Sequence, residues 1–229
     1  MNHSNKTILT LGLLAGSLTL SQAAVTYTLP ASPTTPAGDG WTGDDLPNWV
    51  SSNFSGLDYL RNNNGGDNTI TRAFETGIQA TDTTVTLTID ARTNGNFSQY
   101  GLSGDGATLL FGFGINFNAS GQYFVMLNGS RTNVGGSTSG DAVKTLSLEL
   151  DSATGSAQLY VDGAATGSAI TSSSGANLIN ELVGADTLYH RSNSQFVGAG
   201  SYTIEGTPEP SSVALLGLGG LALVLRRRK

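Results

Sequence analysis

The chain has 229 residues and a formal charge of −6; Gly, Ser, Thr and Asn supply 100 of the residues, while charged residues make up only 12%, about half the usual share. Such low charge beside 38% hydrophobic residues excludes a charge-rich disordered chain and a long coiled coil. With no cysteine there can be no disulfide, thiolate nucleophile, zinc–thiolate or iron–sulfur site, and His3 and His190 are the only imidazoles.

The N-terminus reads as a secretory signal. A short polar stretch with one cation, Lys6, precedes an apolar run over residues 7–20. Ser21-Gln22-Ala23 then offers small residues at the −3 and −1 positions of a cleavage after Ala23. Residues 24–40 are expected to form an irregular leader, since 30–40 are rich in Pro, Thr, Ser and Gly.

From there strand signals recur. Residues 84–90 alternate Val85, Leu87 and Ile89 with Thr84, Thr86 and Thr88, the pattern of a half-buried strand. Residues 109–117 and 123–127 are more continuously apolar, with a hairpin turn expected at 118–121. Leu146, Leu148 and Leu150 alternate again, a turn follows over 151–155, and Ala157, Leu159 and Val161 resume the alternation before Asp162-Gly163. One short helix is predicted at 177–183 and a last strand at 201–205. No fixed-period repeat appears, which argues against a solenoid. The expected fold is all-β: an antiparallel β-sandwich over residues 41–207, flanked by an N-terminal signal helix and a C-terminal transmembrane helix.

That sandwich is acidic. Residues 24–207 hold six cations against sixteen carboxylates, a charge of −10, so there is no basic patch for a nucleic acid. The basic balance lies at the end of the chain. Pro208-Glu209-Pro210 is followed by Ser211-Ser212, an apolar run over 213–225, and then Arg226, Arg227, Arg228 and Lys229. The prolines keep a helix from entering upstream, and either serine can cap one that starts there. A helix over 211–225 spans roughly 22 Å at about 1.5 Å per residue, short for a bilayer core of about 30 Å but accommodated by snorkelling cations. The four terminal cations are expected to stay cytoplasmic.

These three parts, in this order, resemble the PEP-CTERM sorting signal of Gram-negative bacteria. The resemblance implies recognition by an exosortase through Pro208, Glu209 and Pro210, a transient membrane anchor formed by the apolar helix, and Arg226 to Lys229 as the cytoplasmic stop. It further implies export through the inner membrane to the cell surface or its exopolysaccharide matrix. A hydrophobic residue often precedes the first proline in that family; here it is Thr207.

Residues 145–163 resemble a hairpin of laminin G and concanavalin A-like jelly rolls, in which a strand, a D-x-x-x-G turn and an L-Y-V-D-G strand follow one another. The pattern from Trp41 through Asp44, Asp45 and Leu46 to Trp49 fits the same layout. That superfamily includes polysaccharide-cleaving glycoside hydrolases built on an E-x-D-x-x-E strand, whose first two carboxylates match Glu149 and Asp151. The third falls on Thr154, and two carboxylates at a strand end more often form a solvated edge and an Asx turn.

Other chemistry is sparsely supported. His190 has no nucleophile elbow near it and is expected to be either hydrogen-bonded or exposed. Asp44-Asp45, Asp67-Asn68 and Asp105-Gly106 lack calcium-loop spacing and read as turns, so no metal or other cofactor is expected. Trp41, Trp49, Tyr59, Tyr100 and Tyr189 are candidate stacking platforms for sugars, although Trp is more often buried in sandwiches. The Thr84, Thr86 and Thr88 row is ordinary exposed-strand composition. The leading expectation is a non-enzymatic exported protein, adhesive or structural, with polysaccharide, exosortase and secretion machinery as partners. The competing one is a hydrolase of the same fold.

Overall fold

Alternating side chains decide which face each strand buries, and among the described residues fifteen strands carry nearly all of the fold. The computed structural model describes residues 23–31, 35–43, 46–94, 96–115, 122–136, 140–194 and 196–208. The strands are β1 (Val25–Thr28), β2 (Trp41–Thr42), β3 (Trp49–Phe54), β4 (Leu57–Asn62), β5 (Asn68–Ala73), β6 (Asp82–Thr93) and β7 (Ser98–Ser103). They continue with β8 (Leu109–Ile115), β9 (Tyr123–Leu127), β10 (Ser130–Gly135), β11 (Ala142–Asp151), β12 (Ser156–Val161) and β13 (Ala164–Thr171). Helix α1 (Leu178–Val183) then leads to β14 (Thr187–Ser192) and β15 (Gly198–Pro208).

These form two antiparallel sheets. Sheet A runs β13-β12-β11-β6-β15-β4-β3, with β1 also paired to β15; sheet B runs β10-β9-β8-β7-β14-β5-β2. On β6, Val85, Leu87, Ile89 and Ala91 are buried while the threonines between them stay partly exposed. Register carries this pattern across sheet A, with Leu146, Leu148 and Leu150 opposite Ile89, Leu87 and Val85. Tyr202 and Ile204 flank Ile89 and Leu87 on the other side. Tyr100, Leu102, Phe111, Phe113, Ile115, Val125 and Leu188 of sheet B meet them in one core cluster, which makes the fold a β-sandwich. Each fully buried aliphatic or aromatic side chain there contributes about 1.5–3 kcal/mol.

Three hairpins close on two-residue turns, Ser55-Gly56, Asn128-Gly129 and Asp162-Gly163, with φ of 51°, 48° and 50° at the first residue and positive φ at each glycine. This is the type I′ geometry, whose twist matches that of the flanking strands. Asp162 also ties its turn to β11, accepting from Thr145 N at 3.1 Å and Lys144 Nζ at 2.6 Å.

All six predicted strands are present, the first lengthened to Asp82–Thr93 and the last to Gly198–Pro208; of the one expected over 109–117, residues 116 and 117 lie outside the described residues. The predicted helix is α1, which buries Leu178, Ile179 and Leu182. One expectation is corrected. The supposed irregular leader opens with β1, paired to β15 from Val25 opposite Ile204 to Thr28 opposite Ser201. Tyr27 and Leu29 enter the core, Tyr27 Oη donates to Asp39, and Trp41 Nε1 donates back to Tyr27 Oη at 2.9 Å. The proline content of 30–40 concealed the β-branched, aromatic Val-Thr-Tyr-Thr run just before it.

The signal helix, the transmembrane helix and the turn at 118–121 lie outside the described residues, as do Glu209, Pro210 and Arg226 to Lys229. Among the described residues no helix is long and apolar enough to cross a membrane.

Candidate functional site

The residues singled out for chemistry are dispersed. Glu149 is exposed on the outer face of sheet A, between Thr86 and Gln158. Asp151 is exposed at the end of β11, where Oδ1 accepts from Ala153 N at 2.8 Å and Thr154 N at 3.3 Å, an Asx turn. The threonine row is interrupted across strands, because Glu149 and Glu205 flank Thr86.

His190 departs from expectation, being neither exposed nor hydrogen-bonded. Its side chain is fully buried and both ring nitrogens lack a partner. The ring sits 4.6 Å from Trp49, 4.8 Å from Tyr100 and 6.5 Å from Trp41, centroid to centroid. Burial pushes its pKa down to about 3, so it is neutral at physiological pH. The candidate stacking platforms are corrected too: Trp41, Trp49, Tyr59, Tyr100 and Tyr189 are at most 5% exposed. Trp41, Trp49 and Tyr100 gather around His190 inside the sandwich, so they present no face to a sugar.

Among the candidate calcium ligands, Asp67 is held by Arg191, with Nε donating at 2.8 Å and Nη2 at 2.5 Å. That pairing lowers the Asp67 pKa and raises that of Arg191. Asp105 braces its own loop, accepting from Thr108 N at 2.7 Å, Ala107 N at 2.8 Å and Ser103 Oγ at 3.0 Å, which lowers its pKa to about 2. Asp44 and Asp45 lie outside the described residues, and among those described no three His, Cys, Asp or Glu gather as a metal site.

The residues that do converge are on the outer face of sheet B, and their arrangement begins with glycine. On β8, Phe111, Phe113 and Ile115 point into the core while Gly112 and Gly114 alternate with them on the outer side. A Cβ on Gly114 would lie 2.5 Å from Phe124 Cζ, and one on Gly101, opposite Gly112 in the sheet, 2.7 Å from Leu109 Cδ1. Bare backbone therefore lets Phe124 and Leu109 lie down on the sheet. With Met126 and Tyr189 they form a second apolar cluster, against which Phe97 packs.

Phe97 stacks on Phe124 at 6.3 Å with an interplanar angle of 16°. A guanidinium covers each ring: Arg131 lies 4.0 Å over Phe124 and Arg191 5.3 Å over Phe97. Beside this row is an open depression of about 410 Å³ lined by Asp67, Phe97, Gln99, Met126, Arg131, Arg191 and Asn193. Its size falls at the small end of the ~300–1,000 Å³ found for small-molecule sites. Its lining joins an apolar floor to polar donors and acceptors of both kinds.

A second depression, about 360 Å³, lies around Asp58, Asp90, Thr26 and Thr203 of sheet A. Its carboxylates are engaged: Asp90 accepts from Thr145 Oγ1 at 2.7 Å and Ser201 Oγ at 3.1 Å, and Asp58 from Asn53 Nδ2 at 2.9 Å. Sheet B thus offers the richer site. Its trace in the sequence is no polar motif but the F-G-F-G alternation of residues 111–114, which puts phenylalanine inward and glycine outward.

Comparison with known proteins bears on the two ends of the problem separately. The PEP-CTERM protein-sorting motif matches residues 207–229. No curated protein matches the chain by sequence. Among solved structures, a protein of unknown function from Shewanella oneidensis MR-1 is similar with a TM-score of 0.49 and 13% identity, over 92% of this chain and 98% of that one. The Caenorhabditis elegans galectin LEC-6 overlays with a TM-score of 0.40 and 11% identity, over 71% and 99% of the two chains. The carbohydrate-binding module CBM66 from Bacillus subtilis gives 0.35 and 13%, over 74% and 93%.

Proposed function

We propose that this is an exported, non-enzymatic protein of the cell surface or extracellular matrix, sorted by an exosortase through its PEP motif, whose jelly-roll sandwich of concanavalin A or laminin G type binds polysaccharide. The observation that carries the binding reading is the outer face of sheet B. There Phe97, propped on the buried Phe124, and Met126 supply an apolar floor, while Gln99, Asn193, Asp67 and two arginines supply hydrogen-bonding groups at its rim. A pyranose needs this combination, an apolar face for its C–H groups and directional partners for its hydroxyls.

Sorting is supported by the motif at 207–229 and by the way it joins the fold. β15 runs to Pro208, which sits opposite Asp82, so the folded strand passes directly into the motif. The non-enzymatic reading is supported by His190 being enclosed without a partner and by Asp151 being committed to its turn. Affinity electrophoresis of the detergent-purified full chain through gels containing neutral and acidic polysaccharides tests the binding: retardation in at least one gel is expected, and free migration in all of them contradicts it. Deleting residues 208–229 tests the sorting, with a change of cell fraction expected and unchanged localisation contradicting it.

A further inference from the structure

The cations of the body are mostly spoken for. Arg92 pairs with Asp141, Lys144 with Asp162 and Arg191 with Asp67, at 2.5, 2.6 and 2.5 Å. Arg72 donates from Nε to the Asp39 carbonyl at 2.7 Å and covers Tyr27 at 4.3 Å. Arg131 is placed differently. It projects from β10 over Phe124, on the rim of the sheet B depression, and its Nη2 makes a long 3.5 Å bond to Asn133 Oδ1. Among the described residues it forms no ion pair, in a body whose charge is −10. Its neighbours partly desolvate it, which disfavours the charged form and lowers its pKa from the ordinary arginine value. A counter-anion would reverse that cost.

The charge of the depression is specific. Arg191 is neutralised by a two-bond pairing with Asp67, so together they bring hydrogen-bonding groups and no net charge. Arg131 then leaves the site with one net positive charge, presented as a planar fork of N–H donors. A fork of that shape pairs with a carboxylate through two parallel hydrogen bonds. Resting on the polysaccharide-binding reading above, we propose that the sheet B site selects an acidic sugar, a uronate whose carboxylate pairs with Arg131 while its ring lies along Phe97 and Met126 and its hydroxyls reach Gln99 and Asn193.

The test uses the detergent-purified full chain and three polyuronates (polygalacturonate, alginate and hyaluronate), each beside the same polymer with its carboxyls reduced to alcohols, at 0.15 M salt. At least one acidic polymer should retard the protein about tenfold more strongly than its reduced form. Arg131→Gln should bring binding of the acidic polymer down to the level of the reduced one without changing the thermal midpoint. Arg131→Lys, which keeps the charge and loses the fork, should restore only part of it, and Lys144→Gln, a charge loss elsewhere, should have no effect. Equal binding of acidic and reduced polymers, or retention by neutral polymers alone, overturns the uronate assignment and leaves polysaccharide binding standing. Equal, Arg131-dependent binding of dextran sulfate overturns selectivity for the carboxylate. Retention by no polymer of either kind overturns both readings.

Discussion

His190→Leu is a direct probe of how the core is held. The wild-type ring is enclosed by Trp49, Tyr100 and Trp41, and neither nitrogen has a hydrogen-bond partner. Burial lowers its pKa from 6.5 to about 3. As pH falls below 6.5 the unfolded chain therefore takes up a proton that the folded chain refuses. The stability conferred by the neutral ring is full above pH 6.5 and is lost as pH falls toward 3. The slope approaches 1.4 kcal/mol per pH unit, on the order of 5 kcal/mol over the whole window. That is a large part of the roughly 5–15 kcal/mol by which a domain is usually stable. Leucine has no proton to gain and leaves no unpaired polar atom, so the variant should match or exceed wild type at pH 7.5 by up to about 3 kcal/mol. Urea unfolding at pH 7.5, 6, 5 and 4, followed by fluorescence of the two tryptophans, both beside His190, gives the difference directly. Carboxylate titrations are common to both proteins and cancel. The gap between variant and wild type should widen steadily below pH 6.5; parallel pH profiles would refute the reasoning.

Gly114→Ala should destabilise the sandwich by about 1–3 kcal/mol, since its Cβ would meet the Ser98 carbonyl oxygen of β7 and press on the Phe124 ring, and an unchanged urea midpoint would show that neither lies so close to the bare backbone. Asp105 should titrate near 2 by NMR because three hydrogen bonds favour its carboxylate. Its folded pKa is depressed, so the bracing of the 103–108 loop is present above the usual aspartate pKa and disappears as pH falls through 2; a midpoint near 4 contradicts this. Asp151→Ala should cost about 0.5–2 kcal/mol from the lost turn bonds while leaving polysaccharide retention unchanged, and abolished retention would place the ligand on the wrong face. Leu148→Ala, at the centre of sheet A, should cost about 2–5 kcal/mol in the same assay, and a loss below 1 kcal/mol would mean the sheets are not packed there.

The sandwich was legible wherever alternation was clean. Val85, Leu87 and Ile89 against threonines, and Leu146, Leu148 and Leu150 of β11 opposite Val161, Leu159 and Ala157 of β12, identify their strands and their inward faces at once. β4, β5, β7 and β14 are hard to see in the sequence because their inward positions hold Asn62, Asn68, Ser98, Ser192 and His190 alongside apolar side chains. Polarity therefore fails as a marker of the outer face there. β1 was hidden by the prolines that follow it. The binding face was missed for a related reason. The Trp and Tyr residues near loops are buried rather than displayed, Trp41, Trp49 and Tyr100 in the core and Tyr189 beneath the outer cluster of sheet B. The aromatic floor comes instead from Phe97, which sits in the short segment before β7 and is propped from beneath by the buried Phe124. What turns the outer side of β9 into a site is glycine on its neighbour, a relation between strands that no single window of sequence contains.

Met126 offers the most direct test of the central claim, that polysaccharide binds the outer face of sheet B. Its side chain lines the depression, and the chain has one other methionine, Met1. In full-length protein labelled at the methionine methyls, titration with a polysaccharide that retards the chain should shift the Met126 resonance saturably while Met1 stays in place. Retardation with the Met126 signal unmoved would contradict the account, because the ligand would then be bound somewhere other than sheet B.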